Sequence, residues 1–111
     1  MVILPISSKQ TSKSASLQTN YGIELMQNKP NPFDESTRIS IKSATDIFAD
    51  RTHIRITDFN GRVIKLIKVP IRKGVNEVNF DHGFNYSGNY IYSLIIDGMI
   101  VESKKMIFTG R

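Results

Sequence analysis

Three observations predict an all-β chain, a seven-stranded antiparallel β-sandwich of immunoglobulin-like type. Short apolar runs of period-two alternation recur along the chain, separated about every 8–12 residues by Gly, Pro, Asn and Asp clusters. Only Ser43 to Arg51 has a pattern that a helical turn fits, and that stretch is too short for a stable helix. The third observation is the most apolar stretch, Gly88 to Phe108 (GNYIYSLIIDGMIVESKKMIF). Its two runs meet at Asp97-Gly98, a dipeptide suited to a type I′ hairpin because both central residues there need φ > 0. Such a hairpin is marginal alone, so it is expected to be a central part of a larger sheet. The absence of a Cys–Trp–Cys set excludes an antibody-type domain, and an incomplete barrel is the alternative closure.

Taken in order, residues 1–22 read as a flexible linker. Ser7 to Asn20 is Ser/Thr-rich and holds no carboxylate, a composition with too little apolar surface to order itself. The apolar Val2–Ile6 has two open readings, a remnant of a preceding domain or a strand that pairs on a neighbour's edge. The folded domain is expected over 23–111. Ile23 to Met26 is a short first strand. Pro30 and Pro32 then impose a rigid, extended corner, with Phe33 plugging the end of the core. Thr37 to Lys42 alternates with Thr37, Ile39 and Ile41 inward. Ile47 and Phe48 are expected to anchor the helical turn.

His53 to Asp58 places Ile54 and Ile56 inward and His53, Arg55 and Thr57 outward. Asn60-Gly61 signals a hairpin. Val63 to Val69 is apolar on both faces but broken by Lys65 and Lys68, so its inward set is ambiguous and a bulge is expected. Pro70 ends that strand and Arg72-Lys73-Gly74 turns the chain. Val75 to Phe80 follows with Val78 and Phe80 inward, and Asp81 to Ser87 is turn-forming. In the last hairpin Tyr90 and Tyr92 are expected in the core, with Tyr86 packed beside its turn.

A length of 111 residues argues for one domain, and 40% hydrophobic with 23% charged residues is globular composition. No cysteine is present, which removes disulfides, thiol nucleophiles and Cys-based zinc sites. The net charge of +5 is spread singly and in pairs, the pattern of solvated strand faces rather than of a nucleic-acid footprint. Val2–Ile6 is too short for the h-region of a leader, so any export leader is expected on a longer parent chain.

Chemistry-bearing constellations are scarce. His53 and His82 have no spacing to each other or to carboxylates that builds a metal site. No GxSxG elbow and no phosphate-cradling glycine loop occurs. Asp58, Asn60 and Asp81 read as turn caps before they read as a calcium loop. Tyr21, Tyr86, Tyr90 and Tyr92 are the only tyrosines that a stacking platform could use. No catalytic, cofactor-binding or metal-binding residues are expected, and no enzyme.

LMQNKPNPF, TRISI, ITDFNGRVIKLI, SGNYIYSLIIDG and the closing KKMI occur in that order. In order and spacing the chain resembles the type A C-terminal sorting domains of proteins exported by the Bacteroidetes type IX (Por) secretion system, over Ile23 to Arg111. Pro30, Asn31, Pro32 and Phe33 match the family's opening motif, and Asp58, Gly61 and Arg62 its turn. Ser87, Gly88, Tyr90 and Leu94 match the penultimate strand, and Lys104, Lys105, Met106 and Ile107 the terminal one. Two departures are Asn89, where an apolar residue is usual, and Phe80-Asp81-His82-Gly83 in place of a frequent Trp-Asp-Gly.

The resemblance implies a non-catalytic signal without cofactors. It would be carried behind an N-terminal cargo domain, which reaches the periplasm first and then the cell surface or the medium. The implied partners are the outer-membrane machinery and a sortase-like peptidase, which would cut in the linker and join cargo to surface lipopolysaccharide. Recognition is expected at Gly88, Tyr90, Lys104, Lys105, Met106 and Ile107, with the last strand as an edge whose free N–H and C=O groups offer a docking ladder. The competing reading of the lysine pair is protection of that edge, which also bears on edge-strand self-association. Two other functions stay open: a structural adhesion module, and a carbohydrate-binding module using Phe59, Phe84 and Tyr86.

Overall fold

Alternating strands can bury one face each only by pairing into sheets and stacking the sheets. A computed structural model, describing residues 22–110, arranges the chain in this way. The leading linker up to residue 21, with Val2–Ile6 and Tyr21, lies outside the described residues. The strands are β1 (Ile23–Leu25), β2 (Ser36–Ser43), β3 (Thr52–Asp58), β4 (Val63–Lys68), β5 (Gly74–Asp81), β6 (Gly88–Ile96) and β7 (Met99–Phe108). They form two sheets, β1-β2-β5 and β4-β3-β6-β7, antiparallel throughout. The protein is a seven-stranded antiparallel β-sandwich.

Ile39 and Ile41 of one sheet face Ile54, Ile56, Tyr92, Leu94 and Ile96 of the other, all fully buried. Thr37 is buried beside Ile39 and Ile41, as the alternation of β2 predicts. Phe80 is buried, and Val78 packs against the core from the same face of β5.

The expected bulge lies in β4. Ile56 pairs with Lys65 but Thr57 with Val63, leaving Ile64 as the extra residue. The bulge lets Ile64 and Ile67 both reach the core although they are not at strand period. It also leaves Lys65 on the inner side, where its ammonium lies 5.5 Å from the Phe80 ring centroid. A second bulge, at Val101 in β7, turns that side chain inward as well.

Three expectations are corrected. The helical turn is a single 3-10 turn, Ala49–Arg51, and Phe48 does not anchor it: its ring is 77% exposed. Ile47 alone is buried there, held by reciprocal backbone bonds with Ile71 of 2.7 and 2.9 Å. Tyr86 is 74% exposed rather than packed beside its turn. Of the C-terminal hairpin only β6 is central, between β3 and β7; β7 is an edge strand of its sheet. Strand order decides this, and local alternation carries no information about it.

Candidate recognition surface

The prolines of Asn28–Phe33 exclude helix and leave backbone groups without sheet partners. Lys29 bridges to Arg38 of β2, and the groups beyond it find partners on the terminal strand. Phe33 donates its N–H to the Ile107 carbonyl at 3.0 Å, and its carbonyl accepts from the Thr109 N–H at 2.8 Å. The Asn31 side-chain oxygen accepts the Ile107 N–H at 2.8 Å, and the Gln27 amide donates to the Lys105 carbonyl at 2.7 Å. Both the Lys29–Pro30 and Asn31–Pro32 peptides are cis. The corner is thus a strap along the outer edge of β7 from Lys105 to Thr109. A docking ladder along that half is already occupied, which corrects the expectation of a wholly free edge.

Phe33 is the plug the sequence predicts. Its ring centroid lies 5.4 Å from Phe108 and 6.4 Å from both Phe80 and Phe84. Asn28, five residues earlier, is buried. Its backbone N–H donates to the Tyr92 hydroxyl at 2.8 Å, and its side-chain amide donates to Thr37 Oγ1 at 2.9 Å and the Pro30 carbonyl at 3.1 Å. Burial pushes the Tyr92 phenol up to about 12, with the Asn28 bond pulling the other way.

Successive residues of a strand point to opposite faces, and this separates the lysine pair. Lys104 lies opposite Tyr92, on the inner side, with its ammonium 3.5 Å from Glu102. Glu102 in turn accepts the Leu25 N–H at 3.0 Å and so links β7 to β1 across the sandwich. Lys105, opposite Ile91, points outward and is exposed. Met106 is fully buried, while Ile107 is half-buried on the same face as Lys105.

Gly88 pairs with Phe108 at the start of β6 with φ 142°, a backbone region open chiefly to glycine. Tyr90, opposite Met106, stacks flat on Phe84 at 3.6 Å and donates its hydroxyl to the Tyr86 carbonyl at 2.7 Å. A tyrosine at the start of a strand, bonded back to the preceding corner, is a tyrosine corner. Burial, and then the nearby Asp58 charge, raise its phenol above the ordinary value.

Asp58, Gly61 and Arg62 form the tight turn of the β3–β4 hairpin. The Asp58 carboxylate accepts the N–H groups of Asn60 and Arg62, both at 2.9 Å. The Arg62 backbone bond, foremost, holds its carboxyl below the usual range. Gly61, at φ 90°, donates its N–H to the Asp58 carbonyl at 3.0 Å. This turn sits beside Tyr90, and the two border a cleft of about 300 Å³ that Phe59 and Tyr86 also line.

The structure therefore brings the proline corner, Gly88, Tyr90, Met106 and Ile107 to one end of the sandwich. It turns Lys104 away from Lys105. Gln27, Asn28, Tyr92 and Glu102 were not singled out as partners by the sequence, and Asn-rich composition beside the prolines was the only hint of the buried network. Phe84 is buried, which reduces the aromatic row of the carbohydrate reading to Phe59 and Tyr86. His82 packs its ring 4.4 Å from Phe108, and among the described residues no cluster of His, Asp and Glu is built to hold a metal.

The family model described as secretion system C-terminal sorting domain matches residues 30–109. Among solved structures the chain is similar to dimeric latent PorU from Porphyromonas gingivalis, with a TM-score of 0.66 and 22% identity. That likeness covers 80% of this chain and 9% of PorU, and it bears on the fold. Two structures of a β-glucosidase from Kluyveromyces marxianus, one in complex with glucose, match at 19% identity. They cover 78% and 77% of this chain and 13% of theirs, and their TM-scores of 0.45 are too low to bear on function. No curated protein matches.

Proposed function

The chain belongs to the type IX secretion system C-terminal sorting domain family, and on that premise we propose that it acts by presenting a composite surface of terminal strand and proline corner to the secretion machinery. A C-terminal sorting signal is the role of this family, a non-catalytic one, and it directs export to the cell surface or extracellular space. In our reading an N-terminal cargo on the same parent chain crosses the periplasm first. The outer-membrane machinery then engages the folded domain, and a sortase-like peptidase removes it within residues 1–22, a linker that leaves 23–111 as the domain.

The observation that supports this reading is the strap. Because Asn31 and Phe33 bond Ile107, the opening and closing motifs form one surface only when the domain is folded. Lys105 and Ile107 face outward on it, while Met106 and Phe108 are held in the core. Lys105 and Ile107 are the contact residues in this reading. Gly88, Tyr90, Met106 and the turn Asp58–Arg62 hold their frame, and Lys104 pairs with Glu102, which links β7 to β1.

The test is export in a Bacteroidetes host of a fluorescent protein bearing a Sec leader and this chain at its C-terminus. Deleting the terminal strand would remove Met106 and Phe108 from the core, so point substitutions are the cleaner probes. Lys105→Glu and Ile107→Glu are expected to leave the fusion folded but periplasmic, with Lys42→Glu, on the opposite sheet, exported normally. Normal export of both terminal-strand variants would overturn the surface and favour simple edge protection. Periplasmic retention of the unaltered fusion would overturn the sorting role and favour a structural module.

A further inference from the structure

The outer face of the four-stranded sheet has a charge pattern that the sorting role uses only at its Lys105–Ile107 end. Residues at its outward positions follow from the register. Across the middle run Leu66, Arg55, Ser93 and Ser103, one from each strand. Lys68 and His53 stand in the row on one side, and Lys105 in the row on the other. Among the described residues no Asp or Glu occupies an outward position of this sheet. The outer face of the other sheet is mixed, with Glu24 beside Lys42 and Arg38 3.7 Å from Glu77.

The basic face is also apolar. Leu66 is 58% and Ile100 46% exposed. Ile95 lies between His53 and Ile100 and is buried although it stands outside the core cluster. Arg55 is central and half-buried, with one donor unsatisfied. Its Nε–H is buried with no acceptor, and the neighbouring Ser93 and Ser103 hydroxyls bond each other at 2.7 Å. A buried guanidinium donor without a partner is uncommon, and a carboxylate is the group whose geometry matches its fork.

We infer that this face docks an acidic protein surface, which brings a carboxylate to Arg55 and apolar side chains to Leu66 and Ile100. Charge complementarity selects that occupant. A second copy stacked face to face would set Lys68, Arg55 and Lys105 against like charges. A lipid surface would meet the peripheral lysines but would bring no side-chain carboxylate to the centre of a flat sheet. The inference does not depend on the sorting role, and its test needs no export.

The chain, labelled with ¹⁵N, is titrated with a synthetic peptide of alternating Glu and Ile, and separately with its Gln-for-Glu copy and with phosphatidylglycerol vesicles. Saturable shifts confined to β3, β4, β6 and β7 are expected for the acidic peptide and none for the copy. Arg55→Gln is expected to weaken binding about 10-fold, the scale of a charge-assisted hydrogen bond. Lys42→Gln should leave the affinity unchanged. Arg55→Lys, which keeps charge but not the fork, should fall between and carries the test if Arg55→Gln does not fold. The inference is overturned by a lack of saturation up to about 10 mM peptide, or by equal losses in Arg55→Gln and Lys42→Gln. Binding only to the vesicles, or a dimer in sedimentation that Arg55→Gln dissociates, would overturn it in favour of lipid or of self-association.

Discussion

Tyr92 joins the two sheets through one hydroxyl. It donates to the Met26 carbonyl and accepts the Asn28 N–H, both at 2.8 Å, from a site with no solvent exposure. Tyr92→Phe keeps the ring but strands a carbonyl and an amide, and is expected to cost roughly 1–3 kcal/mol in urea unfolding. The phenol also sets a pH dependence. Its pKa rises from 10.0 to about 12 in the fold, mainly through burial, so the folded state holds the proton more tightly than the unfolded chain. Stability from this group is full below pH 10.0 and is lost as pH climbs toward about 12. Urea midpoints of the parent should fall across that window, and those of Tyr92→Phe should fall less. Period-two alternation placed Tyr92 in the core, but its partners lie 64 and 66 positions away, which no local pattern encodes. The lysine pair is the converse case. Adjacent in sequence, Lys104 and Lys105 read as a unit, yet the pleat sends them to opposite faces.

At the scale of elements, turns were the most legible. Asp97 and Gly98 have φ 53° and 82°, the positive pair that a type I′ hairpin needs. Gly98→Ala is expected to destabilise by about 1 kcal/mol, because a side chain is strained at that φ; a shift in thermal midpoint with unchanged strand content would confirm it. Arg51 adds a two-pronged contact to Asp97, at 2.7 and 3.0 Å, reaching the turn from the 3-10 segment. The strap on β7 was legible only in part. Two prolines predict a rigid corner, but nothing local says which strand it lies along. Asn31→Ala removes the acceptor of the Ile107 N–H, and exchange of that amide should accelerate by about 5–10-fold. The Leu94 amide, in the sheet centre, should exchange as before. Equal acceleration at both would mean that the strap supports the whole fold rather than the edge.

For the whole molecule, the aromatic cluster at one end locks the sandwich. Phe33 comes from the corner, Phe80 from β5, Phe84 from the β5–β6 corner and Phe108 from β7, with centroids 5.3–6.4 Å apart. Phe33→Ala is expected to cost about 3–5 kcal/mol, a large share of the roughly 5–15 kcal/mol by which such a domain is stable. Phe48→Ala, at a ring 77% exposed, should stay within about 0.5 kcal/mol. Calorimetry on the two variants separates them: the same residue type differs only in what surrounds it. The cluster also packs the matched opening and closing motifs against each other. They are two walls of one packed end.

By itself the sequence determined the strand class, seven strands and their turns, and the inward sets of β2, β3 and β5. Those features rest on alternation, φ restriction and turn chemistry, which act over a few residues. The ordered motifs also carried the family. Only the tertiary structure decided which strands lie between the sheet's edges, which half of the β7 edge is strapped, and that the Arg55 Nε–H lacks an acceptor on a face whose described residues hold no carboxylate. Each of these depends on which distant segments share a sheet or a face, and pairing energy between strands is nearly indifferent to their separation along the chain.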